Sequence, residues 1–204
     1  MREVGIGKVA FTSTSTVYGE PSVIPVPEDY SPLKPISLYG ATKLASEALI
    51  IGYSGFYGIE YWIFRLANIV GGRFRRGVVF DFVRKLNKDP KRLEILGDGT
   101  QRKSYLHVSE CVDAILYTVR HSKGGVFNVG SEDDISVRRI AEITVEEMGL
   151  DDVEFVYNSP YDGRGWKGDV KYIRLDISKL KGIGWRPRMN SEESIRVAVK
   201  DLLV

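Results

Sequence analysis

Thr12-Ser13-Thr14-Ser15-Thr16-Val17-Tyr18-Gly19 is followed, after a proline-rich interval, by Ser37-Leu38-Tyr39-Gly40-Ala41-Thr42-Lys43. The hydroxyl run closes an apolar strand, Val9 to Ser13, and the carboxyl ends of strands are where open α/β sheets place their ligands. Pro21, Pro25, Pro27, Pro32 and Pro35 exclude a regular element in the interval. Ser37 then reads as the N-cap of a helix that continues to about Tyr57, with Leu44, Ala45, Ala48, Leu49 and Ile51 as its apolar face. Tyr39 and Lys43 are four apart and share one face of that helix. An ammonium beside a phenol favours the phenolate, so the pair predicts a general acid/base.

Outward from this stretch the chain alternates strand and helix signals, the pattern of an α/β protein with a parallel sheet. Met1 to Gly7 reads as the last turn of a helix, running at once into the first strand. Glu60 to Leu66 reads as the next strand, and a basic loop follows Gly71-Gly72 with Arg73, Arg75 and Arg76. Beyond it the expected elements are a helix over Val78 to Leu86, strands Leu93 to Leu96 and Ser104 to His107 around the turn Gly97-Asp98-Gly99, and a helix over Glu110 to His121. A buried-type strand Val126 to Val129, an amphipathic helix Val137 to Met148, a strand Val153 to Tyr157 and a helix from Ser191 complete the reading.

Composition narrows the function classes. The chain has 29 Lys plus Arg against 27 Asp plus Glu, a net charge of +2 that supplies no nucleic-acid footprint. One cysteine, Cys111, and two histidines, His107 and His121, provide no disulfide framework and no multi-histidine metal centre. With neither a membrane span nor an export signal legible, the expectation is a cytoplasmic protein.

The quoted segments, with three others further along, resemble the extended short-chain dehydrogenase/reductases, the NAD-dependent nucleotide-sugar epimerases and dehydratases. TSTSTVYGE, SLYGATKLASE, FRLANIVGGR, GDGTQRKSYLHV and FNVGSED stand in the order of that family's strand-end hydroxyls, Tyr-Lys helix, Asn loop, Gly-Asp-Gly hairpin and returning strand. The resemblance implies the C-terminal part of a Rossmann-like doubly wound parallel sheet plus a smaller mixed α/β substrate-binding domain. Residues 1–72 would belong to the former and 73–204 mainly to the latter, with a Rossmann strand returning near 125–130.

It implies Thr14, Tyr39 and Lys43 as the catalytic set, with Tyr39, Lys43 and Leu66 on the NAD side. Asn68 would contact the sugar or its phosphate, and Val78, Glu94 and Leu96 would line the uridine pocket. Lys103 occupies the place of a diphosphate-gripping arginine with Arg102 beside it, and Arg164 resembles the second such arginine. Dehydratases of the family carry an Asp-Glu pair directly after the hydroxyl residue for water elimination. Ser15-Thr16 stand there instead, which favours an epimerase of the UDP-glucose 4-epimerase type acting on a UDP-sugar. A non-catalytic sugar-nucleotide binder and a related reductase or dehydrogenase remain the alternatives.

The family's glycine-rich dinucleotide turn after a first strand has no match, since Gly5 and Gly7 precede the first strand. The chain therefore reads as the C-terminal two thirds of such an enzyme, expected to be inactive by itself. Its first strand would be left as an open edge that favours homo-oligomers or an N-terminal partner segment.

Overall fold

A computed structural model describes residues 1–203. A single 3-10 turn, Arg2–Val4, ends at Gly5 with φ +69°, in place of an α-helical turn, and leads to β1 (Lys8–Thr14). β1 runs into a 3-10 turn at Ser15–Tyr18, and the proline segment then crosses to α1 (Leu38–Tyr57). Ser37 caps α1 by accepting from the Gly40 amide at 3.1 Å. β2 (Glu60–Leu66) follows and, after one residue, β3 (Asn68–Val70). The centre of the chain is α2 (Gly77–Lys88), β4 (Arg92–Leu96), β5 (Arg102–Lys103), β6 (Tyr105–His107) and α3 (Val108–His121). Next come β7 (Gly125–Val129), β8 (Ile135–Ser136), α4 (Val137–Glu147) and β9 (Glu154–Asn158). β10 (Tyr172–Ile173), α5 (Ser178–Gly182) and α6 (Ser191–Leu203) close it.

The main sheet has the order β1-β2-β7, all parallel. β7 thus returns to the first sheet from far along the chain. Its register aligns Ser13 with Arg65 and Arg65 with Asn128, and one residue on aligns Thr14, Leu66 and Val129. Because side chains alternate along a strand, the first row points to one face and the second to the other. One hydrophobic core, with Tyr18, Trp62, Phe64, Phe127 and Leu180, packs around this sheet. A second, with Phe82, Leu93, Ile140, Ile143 and Ile195, joins α2, α4 and α6 to β4. Ile140 and Ile143 lie three apart on α4 and are fully buried, as the helical period requires.

Three features refine or correct the sequence reading. The apolar residues of α1 do not form a core-facing stripe: Leu44 packs on the first core, whereas Leu49 is 64% exposed and Ile51 43%. The only α1 residues buried are Gly40 and Glu47, because this helix meets the sheet through a polar cluster. The Gly97-Asp98-Gly99 turn does not close a hairpin, since β4 pairs in parallel with β9 while β5 lies between β10 and β8. Finally, β3, β5, β8, β10 and α5 have no signal in the sequence reading, because elements of two to five residues are too short to show a period.

Candidate functional site

The carboxyl ends of β1 and β2, the start of α1, α2 and the 161–169 loop enclose a cavity of about 1410 Å3. Thr14, Tyr39, Leu66, Asn68, Val78, Glu94, Leu96 and Lys103 all line it, so eight of the residues singled out from sequence meet in one place. Thr14 is nearly buried, its Oγ1 accepting from the Thr16 amide at 3.2 Å as the N-cap of the 3-10 turn. Tyr39 is 54% exposed toward the opening. Gly40 makes this approach possible: a Cβ there would sit 2.8 Å from Thr16 O and 2.9 Å from Pro35 Cβ. Any larger residue would push the start of α1 away from the hydroxyl turn.

Lys43 lies behind Tyr39. Its ammonium donates to Thr12 O at 2.8 Å and stands 6.0 Å from the Tyr39 ring centroid and 4.8 Å from that of Phe11. One turn further, Glu47 accepts from Ser13 Oγ. Tyr39, Lys43 and Glu47 therefore form one stripe of α1 at i, i+4 and i+8, and the last two fasten consecutive residues of β1.

Glu47 in turn holds Arg65, which donates through Nη2 at 2.8 Å and through Nε at 3.2 Å to both carboxylate oxygens, in a pair almost wholly withdrawn from solvent. Arg65 Nη1 donates to Tyr18 OH at 3.0 Å and to Glu28 O at 3.0 Å. Tyr18 OH donates to Asn128 Oδ1 at 2.8 Å, and Asn128 Nδ2 reaches Val26 O and Asp176 O. Burial pushes the Tyr18 phenol up to about 12, so it stays a neutral donor. The aligned row Ser13, Arg65 and Asn128 thus braces the sheet behind the site, and it also ties down the proline segment.

Sequence reasoning assigned no role to these four, Tyr18, Glu47, Arg65 and Asn128, although all fall inside the quoted motifs. A signal was present: an arginine inside the apolar strand EYWIFRL needs a buried partner.

The cations separate. Lys103 faces the cavity, paired with the buried Asp169 carboxylate. Arg102 points elsewhere, with Nε 2.5 Å from Asp134 Oδ1, and does not line the cavity. Arg164 lies at the rim, its Nη1 2.5 Å from Glu20 Oε1 and 2.5 Å from Asp169 O. That bond to Arg164 holds the Glu20 carboxyl below its ordinary value. Glu94 is likewise lowered, chiefly by the Asn158 amide, which donates to it at 3.0 Å.

A hydroxyl turn and a Tyr-Lys helix at the carboxyl end of a parallel sheet, opening on a cavity that Lys103 also lines, define an α/β protein of the Rossmann-like class. The chain belongs to the NAD dependent epimerase/dehydratase family, whose profile matches residues 1–130. It is 34% identical over 204 residues to a putative UDP-glucose 4-epimerase of Methanocaldococcus jannaschii, covering 98% of this chain and 64% of that protein. A crystal structure of a UDP-galactose 4-epimerase superimposes with a TM-score of 0.88 at 40% identity, over 99% of this chain and 65% of that one. The UDP-glucose 4-epimerase of Thermotoga maritima, solved with UDP-glucose, gives 0.87 at 32% identity, over 98% and 65%. The chain spans just under two thirds of the length of each of these proteins. No helix among the described residues is long and apolar enough to cross a membrane.

Whether these residues suit NAD can be judged at each end of the cofactor. The nicotinamide-ribose end fits, because Lys43 has given one of its three N–H donors to Thr12 O and Tyr39 opens beside it. The pyrophosphate end finds no glycine-rich turn in the 204 residues.

Proposed function

We propose that this chain carries the acid/base and sugar-nucleotide part of a nucleotide-sugar epimerase of the UDP-glucose 4-epimerase type. What supports the reading is one observation: Thr14 and Tyr39 open on the same cavity that runs past Asn68 and Lys103 to Val78, Glu94 and Leu96. In this reading Tyr39, as phenolate, takes the proton of the sugar 4-hydroxyl and returns it after the 4-keto sugar has turned its other face to the same site. Thr14 Oγ1 hydrogen-bonds that oxygen and fixes its direction. Lys43, one turn along α1 from Tyr39, holds the cofactor ribose with its remaining donors. NAD, when bound, supplies the redox chemistry by accepting a hydride from the sugar and giving it back. Lys103 and Arg164 take the diphosphate, for which Asp169 and Glu20 act as internal counter-ions until it arrives. The uridine lies along Val78 and the Glu94–Leu96 strand end.

The same reading holds that the 204 residues by themselves bind the nucleotide without turning the sugar over, since they contribute no pyrophosphate turn for the cofactor. Calorimetric titration with UDP tests the binding half: heat of binding in the parent, weakened at least several-fold in Lys103→Ala, is the expected result. Absence of heat from a folded parent overturns it. Conversion of UDP-galactose by the purified chain with added NAD overturns the second half.

A further inference from the structure

We infer that Trp166 is a sugar-binding platform, an indole face held rigidly at the cavity wall to take the C–H face of the hexopyranose; this rests on the sugar-nucleotide reading above and goes beyond it. The chain has three tryptophans, and two are structural. Trp62 and Trp185 are buried, and their indole N–H groups donate to Ser122 Oγ and Asp113 Oδ2, each at 2.9 Å. Trp166 differs in every respect. It is 50% exposed, it lines the cavity, and its N–H has no partner among the described residues. The space over its open face is the cavity itself.

Its position points to the sugar and not to the base. Trp166 O accepts from the Asp169 amide at 3.1 Å, closing a tight turn over Lys167 and Gly168, with Gly168 at φ +93°. A Cβ at Gly168 would lie 3.2 Å from Trp166 Cζ3, 3.0 Å from Ile36 O and 3.5 Å from Ser37 Cβ. The indole therefore stands beside the N-cap of α1, two residues before Tyr39. The strand end at Leu96 is approached instead by the backbone of the preceding residue, Gly165, where a Cβ would come 3.4 Å from Leu96 O. The Lys103–Asp169 pair adjoins the Gly165 end, where the same Cβ would lie 3.4 Å from Asp169 Oδ2. Base, diphosphate and sugar thus follow one another along the cavity, with Trp166 at the Tyr39 end.

The loop is also rigid enough to act as a wall. The Gly165 amide donates to Asp169 Oδ2 at 3.3 Å, the Asp98 amide donates to Gly163 O at 3.2 Å, and the Gly163 amide donates to Ser159 Oγ at 2.9 Å. A platform held before the ligand arrives contributes its full contact energy, because nothing has to be ordered on binding. The free indole N–H is left to donate to a ring hydroxyl.

The test compares UDP with UDP-glucose and UDP-galactose on the whole chain by calorimetry, with Trp fluorescence as a second readout. The parent is expected to bind either UDP-hexose about five-fold more tightly than UDP, the size of one aromatic contact. Trp166→Ala should remove that increment and leave UDP affinity unchanged, while Trp166→Phe should keep most of it. The hexose-dependent quenching of fluorescence should vanish in Trp166→Phe, a variant that preserves the ring. If the parent gains nothing from the hexose, or if Trp166→Ala weakens UDP and UDP-hexose equally, the assignment fails while the sugar-nucleotide reading stands. A folded parent that does not bind UDP overturns both.

Discussion

Replacing Glu47 by alanine should be among the most damaging single changes in this protein, and its size can be worked out from the contacts. The carboxylate is 1% exposed. It accepts from Arg65 Nε and Nη2 and from Ser13 Oγ, while Arg65 is itself 5% exposed. Removing one member of a buried ion pair strands the other charge in a low-dielectric site, at a cost of about 3–5 kcal/mol. The Ser13 hydroxyl loses its acceptor for about 1 kcal/mol more. The better helix propensity of alanine returns only a few tenths of a kcal/mol. A net loss of roughly 4 kcal/mol is a large share of the 5–15 kcal/mol typical of a folded domain. With an m-value of roughly 2 kcal/mol/M, the urea midpoint should fall by about 2 M.

A double-mutant cycle isolates the pair. Glu47→Ala combined with Arg65→Met should cost at least ~2 kcal/mol less than the sum of the single changes, because the second substitution removes the stranded charge. A Glu47→Ala midpoint within about 0.5 M of the parent, or additive effects in the double variant, would show that this pair is not dry and does not hold β2 to α1.

Gly40→Ala should lower the thermal midpoint by several degrees and weaken UDP-hexose more than UDP, since its Cβ would sit 2.8 Å from Thr16 O and displace Tyr39 and Thr14 together; equal affinities would count against it. The Cys111 thiol, buried and pushed up to about 11 by that burial, should resist thiol reagents at pH 8 in the folded chain and react fully in urea; rapid labelling of the native protein would contradict this. Arg196 bonds Glu146 and Glu147 and, with Arg139, Glu192, and these bonds hold the three carboxyls below their ordinary values. Depressed carboxylates stabilise above their unfolded-state pKa and lose that contribution as pH falls through the folded one. Arg196→Met should therefore lower stability by about 1 kcal/mol at pH 7, and urea midpoints should show the gap to the parent closing toward pH 3 and in high salt; a gap independent of pH would exclude the mechanism.

How the chain was to be read depended on residues whose meaning is local. Strand ends, caps and helical spacing are short-range properties, so the alternation of elements, the Ser37 cap and the Tyr39–Lys43 pair were legible, as was the family through five motifs in order. The boundaries of α3 and β7 moved by only one or two residues, the usual fraying of element ends. Tertiary structure alone decided which motif residues touch. Ser13, Arg65 and Asn128 are separated by 52 and 63 residues in sequence, and only the parallel register of β1, β2 and β7 makes them one row. The same register sends Thr14 to the opposite face and toward the cavity. Of Arg102 and Lys103, neighbours on a strand must point to opposite sides, and nothing in the sequence says which side is the cavity until β5 is placed between β10 and β8. On α1, hydrophobic spacing marks a face but not what covers it: Glu47, a charge, is the buried residue, and Leu49 is exposed. Trp166 carried no periodic signal at all, and only the turn over Gly168 and the ties of Arg164 and Asp169 bring its indole to the wall of the site.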